Sequence, residues 1–421
     1  MNFSWSRGLV AYVGIMTLTF PTVHAAEFLE PRGDLTLATA IAAALLRNPA
    51  LQSASFDIRV AEARIAQAKL RPNPELGIAL ENFGGSLGGT AVLESTLTLS
   101  QVIELGDKRE RRTDVARFGR DTVAIEREAK QLDVLADVTR RFIDVAAQQE
   151  QLLLMRRSRA LSEKNLSVIS RHVEAARSPA AEKNRAAIAL GRARLEEKQT
   201  EQILLSGHRR LAALWGSTEP RFGDAKADLF DLPPVATFDE LVGQLKSNPD
   251  FLRFTSETRL RDAEWQLATA EAKSNVTVGA GLRRFEETGD TGFVVNFSMP
   301  IPLGNRNQGA IREASIRRDQ VQVEEQAAFI TTQATLFEFY QSLQLARAQV
   351  TSLRETLIPQ AEAALTQTRY GYERGRFSYL ELADTQRDLI ELQRDAIVAA
   401  ATYHRVRAEI ERLTNTSLAQ D

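Results

Sequence analysis

The sequence predicts a mainly α-helical protein with a small β part, written twice along one chain. Three observations carry this. The chain matches itself after a shift of about 200 residues, its longest periodic stretches have coiled-coil spacing, and each half holds two short runs that alternate apolar with polar side chains.

Of 421 residues, 26% are charged and 43% apolar, and a net charge of −2 makes no electrostatic case for nucleic acid. The first residues stand apart. Arg7 precedes the apolar run Gly8–Phe20, then Pro21 and small residues, the layout of a secretory signal with cleavage expected after Ala25. That run is short for a membrane span and no later segment approaches one, so an exported chain is expected. Cysteine is absent, which excludes thiol catalysis, disulfides, thiolate metal sites and a lipidated cysteine. His24, His172, His208 and His404 are not at ligand spacing and read as surface side chains. No metal site, cofactor or catalytic base is expected.

"LLRNPAL" (Leu45–Leu51) lies over "LKSNPDF" (Leu245–Phe251), with Arg59, Ala63 and Ala68 over Arg259, Ala263 and Ala268. After a small change of offset, Ser100, Ile103, Leu105 and Gly106 lie over Ser298, Ile301, Leu303 and Gly304. Ala116, Arg120 and Asp121 then fall over Ala314, Arg318 and Asp319. Two blocks in the same order indicate a duplicated unit. The expected organisation is a signal peptide (1–25), a first repeat (26–215), a Gly-, Pro- and Asp-rich connection (216–237) and a second repeat (238–421). Each repeat reads as a helix (36–70, 238–273), two strands, a long helix (107–175, 305–373) and a return helix (180–215, 379–414). Pro359 should kink the second long helix or mark an irregular turn.

In the second strand pair, Val276, Val278, Ala280 and Leu282 alternate with Thr277, Gly279, Gly281 and Arg283. Phe293, Val295, Phe297 and Met299 alternate with Val294, Asn296 and Ser298. The first pair repeats the pattern with Leu76, Ile78 and Leu80, then Leu93, Leu97 and Leu99 against Glu94, Thr96 and Thr98. Runs of about 9–11 residues with one apolar face fit membrane-barrel strands around a wet lumen. An amphipathic hairpin of a soluble sandwich fits this signal equally well.

The long helices decide between them. Leu135, Val138, Phe142, Val145, Gln149 and Leu152 step by threes and fours, a coiled-coil seam. A helix of about 70 residues is on the order of 100 Å long, which no globular core needs. Four strands per protomer cannot close a membrane barrel, since the smallest have about eight, so the edges must pair with other copies. A symmetric trimer sharing a 12-stranded barrel is the simplest closed solution. Leu105–Gly106 and Leu303–Gly304 would then be the strand–helix junctions, where barrel passes into helical tube.

The segment "AEAALTQTRYGYERGRFSYLELADTQRDLIELQ" (Ala361–Gln393), with Tyr372, Gly375, Ser378, Leu380, Glu381, Asp384 and Gln386, resembles the second periplasmic hairpin of the TolC family of outer-membrane efflux ducts. "LATAIAAALLRNPAL" near the mature N-terminus is also typical of that family. The resemblance covers essentially the whole mature length. Within the family the chain is most similar to the CzcC-type component of cobalt–zinc–cadmium efflux systems, on the texture of "QVIELGDKRERR" and "SMPIPLGNRNQGAI". It implies a TolC-like coiled-coil barrel and a passive exit duct of a tripartite system, not an enzyme. The implied cargo is heavy-metal cations or, alternatively, drugs and other small molecules. The implied partners are two further copies, a periplasmic adaptor (membrane fusion protein), an inner-membrane RND pump and outer-membrane lipid. A periplasmic scaffold without a pore would explain the helices but not the strands.

Glu381 and Asp384 share a helix face, as acidic pairs on solvated helices often do. By resemblance they match carboxylates lining the periplasmic gate, where a trimer's ring would attract cations and raise its own pKa values. Tyr372 matches a residue that helps hold that gate closed. Arg374, Gly375, Arg376, Phe377 and Ser378 would be one adaptor-docking tip, and Ala176, Arg177, Ser178 and Pro179 its counterpart. Ala176 stands where glycine is common, and its turn reads as one residue short. The basic cluster Lys108, Arg109, Arg111 and Arg112, with Arg306 and Arg312 beyond the second junction, reads either as contact with lipid phosphates or as a solvated helix start.

Overall fold

The computed structural model describes residues 30–82 and 92–415; the expected signal segment and most of the turn in the first strand pair lie outside the described residues. The first repeat contains β1 (Gly33–Leu35), α1 (Leu37–Arg47), α2 (Pro49–Ala68), β2 (Glu75–Glu81), β3 (Glu94–Ile103), α3 (Lys108–Glu174) and α4 (Ala180–Ala212). After β4 (Phe222–Ala225) come α5 (Phe238–Gln244), α6 (Pro249–Glu271), β5 (Val276–Phe285), β6 (Thr291–Ser298), α7 (Gln308–Ser352), α8 (Ile358–Glu373) and α9 (Tyr379–Thr414).

The first helix of each repeat, expected to run unbroken, is interrupted at Asn48–Pro49 and Asn248–Pro249. Proline lacks an N–H and pushes the preceding residue out of the α region, and both asparagines are extended in ψ, at 122° and 141°. Each asparagine then starts the next helix. The Asn48 Oδ1 accepts from the Ala50 amide at 2.9 Å, and the Asn248 Oδ1 from the Asp250 amide at 2.8 Å. Their side-chain amides reach the end of the return helix of the same repeat. Asn48 donates to the Leu214 carbonyl at 2.9 Å, and Asn248 to the carbonyls of Arg412 and Leu413 at 2.6 and 3.0 Å. The duplicated Asn-Pro block is therefore a clasp that closes each repeat on itself.

Helix α3 is continuous, and Val138, Phe142 and Val145 of its predicted seam are buried. Gln149 serves differently. Its amide donates to Asp224 at 2.8 Å and accepts from the Ala225 amide at 3.0 Å, pinning β4 to the rod. The second rod carries the expected irregularity, a π-helical turn at Leu353–Leu357 just ahead of Pro359.

The main core lies at mid-length, where Leu35, Ala40, Ala44, Phe142, Leu211, Trp215 and Ala400 pack together. A second core gathers Leu245, Phe251, Leu336, Leu343, Tyr403 and Ile410. Segment 216–237 is more than a tether. Strand β4 pairs in parallel with β1, Phe222 and Leu229 are buried, and the carbonyls of Leu229 and Pro233 accept from His404 Nε2 and the Tyr403 hydroxyl. Two of the histidines depart from the surface reading, while His24 lies outside the described residues: His208 packs on Phe222 with ring centres 4.9 Å apart, and burial lowers the pKa of both His208 and His404.

Strands β2, β3, β5 and β6 form one antiparallel sheet in that order, so the two repeats meet at the β3–β5 pairing. Among the described residues no helix is long and apolar enough to cross a membrane.

Candidate functional site

Three places along the molecule hold the candidate residues: the sheet, the strand–helix junctions and the hairpin tips. In the sheet, the register stacks Leu76 on Leu99, Ile78 on Leu97, Leu97 on Leu282 and Leu282 on Phe293, so every strand contributes to one apolar face. Among the described residues nothing covers that face: Phe293 is 91% exposed, Val295 79% and Ile78 73%. The opposite face carries Gly77, Thr96, Thr98, Ser100, Gly279, Gly281 and Asn296 together with the charges of Glu75, Glu81, Glu94 and Arg283. Among the described residues, strands β2 and β6 are edges, each paired on one side only. An apolar face and open edges are both costly in water, which marks this sheet for an apolar medium and for further strands.

At the first junction, Ile103 ends β3 and α3 starts at Lys108. Gly106 has φ +79°, and a Cβ there would lie 2.4 Å from Lys273 Cδ, so both conformation and space require glycine. The aligned Gly304 is not the conformational equivalent. Instead Asp107 and Asn307, at φ 60° and 59°, are the left-handed residues that precede the two long helices. The second link is also longer, with β6 ending at Ser298 and α7 starting at Gln308. Leu105 and Leu303 are both exposed, at 40% and 83%.

Three side chains of the basic cluster, Lys108, Arg111 and Arg112, are engaged within the chain, whereas Arg109, Arg306 and Arg312 are exposed. Lys108 is buried and donates to Asn275 Oδ1 at 2.6 Å, and Arg111 donates to Gln266 Oε1 at 2.6 Å. Arg112 holds Glu104 at 2.7 Å and the carbonyls of Ala68 and Leu70 at 3.2 and 3.1 Å. Hydrogen bonding to Arg112 keeps the Glu104 carboxyl below the usual glutamate range. These three side chains fasten the sheet to the helices, because their partners on α2, α6 and the strand ends are brought within reach only by the fold.

At the other end, both hairpins turn through five residues, 175–179 and 374–378, so the first turn is not short. Ala176 takes φ +54° where Gly375 takes +72°. The Arg177 amide donates to the His172 carbonyl and the Arg376 amide to the Gly371 carbonyl, both at 2.8 Å, the same six-to-one closure of a helix end. The turns match although their sequences do not. Arg374, Arg376 and Phe377 are exposed, as are Ala176, Arg177 and Pro179, whereas Ser178 is half-buried.

The two tips are packed side by side. The Tyr372 ring stacks on His172 with centroids 6.0 Å apart, over a cluster of Ile169, Leu365, Tyr379 and Leu382. Burial, then the Glu182 carboxylate, raise the Tyr372 pKa; its hydroxyl neighbours Ser178 but makes no hydrogen bond of good geometry. Glu381 is engaged locally. Its Oε2 accepts from the Ser378 amide at 2.7 Å and hydroxyl at 2.8 Å, a capping box that starts α9 and lowers the carboxyl pKa. Asp384 pairs with Arg387 at 2.9 Å. Within one chain, then, neither of the carboxylates expected at a gate is idle, and Glu381 is shifted opposite to the rise expected of a crowded ring.

Sequence reasoning passed over Gly371. A Cβ there would lie 2.1 Å from the Phe377 ring, which folds back over it. The Arg374 guanidinium, 3.4 Å above the Tyr370 ring, braces the same tip.

Comparison with known proteins agrees with this layout. The cobalt-zinc-cadmium resistance protein CzcC of Cupriavidus metallidurans is 29% identical over 362 residues, covering 86% of this chain and 85% of CzcC. The nickel-cobalt-cadmium resistance protein NccC of Alcaligenes xylosoxydans xylosoxydans is 24% identical, covering 75% and 72%. The crystal structure of the outer membrane protein VceC from Vibrio cholerae shares the fold at TM-score 0.73 and 16% identity, covering 90% of this chain and 95% of VceC. Residues 40–217 and 243–416, one block in each repeat, match the family described as outer membrane efflux protein. The chain belongs to the outer membrane efflux protein family.

Proposed function

We propose that this chain is the outer-membrane exit duct of a tripartite heavy-metal efflux system, conducting divalent cations passively from the periplasm to the exterior. The observation that carries the proposal is the four-stranded sheet, whose apolar face is open and whose two edges are unpaired. Three copies pairing β6 of one with β2 of the next would close a barrel, with lipid on the apolar face and water inside. The helical rods would continue the lumen into the periplasm. The metal class is argued from the names of the CzcC and NccC relatives, which concern cobalt, zinc, cadmium and nickel.

The tips at 175–179 and 374–378 would meet an adaptor that links the duct to an inner-membrane pump. Tyr372, Glu381 and Asp384 would form the periplasmic gate. In this reading, opening a carboxylate ring at Glu381 requires releasing its bond to Ser378. Sedimentation of the mature chain in detergent, after extraction from outer membranes, tests the proposal. A trimer in that fraction supports the shared barrel; a monomer in the soluble periplasmic fraction sinks it. Restored growth on cobalt, zinc or cadmium in a strain lacking the chain tests the cargo, and drug tolerance restored without metal tolerance overturns that part.

A further inference from the structure

On the polar face of the sheet, Glu81 of β2 stands directly opposite Glu94 of β3. Like charges facing each other across an antiparallel pair are unfavourable unless a counter-charge sits between them. Arg283 of β5 supplies it. Its Nη2 lies 3.0 Å from Glu81 and its Nη1 2.9 Å from Glu94, while Nε donates to Thr96 Oγ1 at 2.9 Å. Asn82 holds the second Glu94 oxygen at 3.1 Å. One arginine thus joins three strands and crosses the seam between repeats.

The triad lies at the end of the sheet farthest from the helices, since Glu81 ends β2, Glu94 begins β3 and Arg283 is near the end of β5. It has two carboxylates for one guanidinium. The rest of the polar face is nearly uncharged: among its described residues in the paired strands, only Glu75 adds a charge, at the opposite end. Glu81 keeps about half its surface, at 51% exposed, so its charge is presented rather than enclosed. At the tips the situation is reversed, with Glu381 capping a helix and Asp384 neutralised by Arg387.

We infer that the Glu81–Arg283–Glu94 triad is a second selection point of the duct, an outer charge ring that favours cations over anions. This rests on the channel reading, which turns the polar face toward the lumen and places three triads around it. Each contributes one uncompensated negative charge, and a ring of carboxylates in a pore attracts cations and repels anions. Glu81 and Glu94 act on the permeating ion. Arg283 is a positioning residue, which fixes the two carboxylates on one wall and limits their net charge.

The test uses the full-length chain, purified in detergent and inserted into planar bilayers across a KCl gradient, with the reversal potential giving the K⁺ to Cl⁻ permeability ratio. Replacing Glu81→Gln and Glu94→Gln together should lower that ratio by roughly twofold or more. Arg283→Gln should raise it. Opposite signs at the same trimer yield cannot arise from loosening of the sheet. Should the double variant assemble poorly, Glu81→Gln alone, at the exposed corner, should give a smaller fall. Conducting trimers whose ratio is unmoved by either glutamate variant overturn the inference, and a loss of selectivity only in Glu381→Ala with Asp384→Ala assigns selection to the gate instead. Wild-type protein that forms neither trimers nor conductance defeats the channel reading itself, which separates the two failures.

Discussion

The two repeats share their parts but not their fastenings. In the first, a short link with Gly106 and Asp107 in left-handed conformations carries β3 into α3, and Lys108, Arg111 and Arg112 tie the helix start to α6, α2 and the strand ends. In the second, the link runs from Met299 to Asn307, Ile301 and Leu303 lie exposed, and the ties are lighter, such as Asn307 to the Ala268 carbonyl at 2.8 Å. The helix clasps lean the other way: Asn248 grips two carbonyls of its return helix, Asn48 only one. A duplicated sequence has thus kept one architecture while moving the strongest attachment to the sheet end in one copy and to mid-length in the other.

The clasps give the largest expected effect. Asn248→Ala removes a helix cap and two buried hydrogen bonds, and should cost about 2–3 kcal/mol. Asn48→Ala, with one such bond, should cost about 1–2 kcal/mol. Denaturant unfolding followed at Trp215 in the first repeat and Trp265 in the second would measure both. Equal losses would dissolve the asymmetry. Next come the tips, where Gly375→Ala should cost about 1 kcal/mol, because the left-handed residue then carries a Cβ. Ala176→Gly should gain about 0.5–1 kcal/mol by relieving the same strain, less the added freedom of the unfolded chain. Thermal midpoints of the two variants should move in opposite directions; a shared direction would mean the turns are not equivalent.

The smallest effect is a pH dependence confined to one tip. The folded Glu381 pKa lies below its unfolded value, so its cap is intact above the ordinary glutamate range. The stabilisation is lost as pH falls from that range through the folded pKa. Helix α4 starts at Ala180, after Pro179, and has no side-chain cap hydrogen bond to lose. Hydrogen-exchange protection of the first turn of α9 should therefore fall in acid while that of α4 holds. Parallel loss at both would point to a cause other than Glu381.

Most of the fold was legible because it is periodic. Long helical seams and strict strand alternation each report a single geometry, and the duplication made every element count twice. The helix breaks were signalled by an Asn-Pro dipeptide in both copies, yet the clasp was not, since the Leu214 carbonyl lies far along the chain from Asn48. The inward turn of Lys108 and Arg112 was hidden for the same reason. Ser378 and Glu381 stand at capping-box spacing, so that role is legible in the sequence directly, whereas the hairpin resemblance implies only a place at a gate. Gly371 carries no local signal, because its need for space appears only when Phe377 folds back.

The π turn at Leu353–Leu357 records how the second copy diverged. Before it the repeats align with Ala116 over Ala314, a step of 198 residues; after it Ala176 stands over Gly375, a step of 199. The second rod is longer by one residue, and a wider turn accommodates the difference without breaking the helix. Pro359, whose ring would press on the carbonyl four residues earlier in a regular helix, follows where that turn has already opened the ladder. An additional residue would otherwise rotate everything beyond it by about 100°, given 3.6 residues per turn. Confined to one turn, the difference leaves Tyr372 facing His172, and the two tips remain in phase.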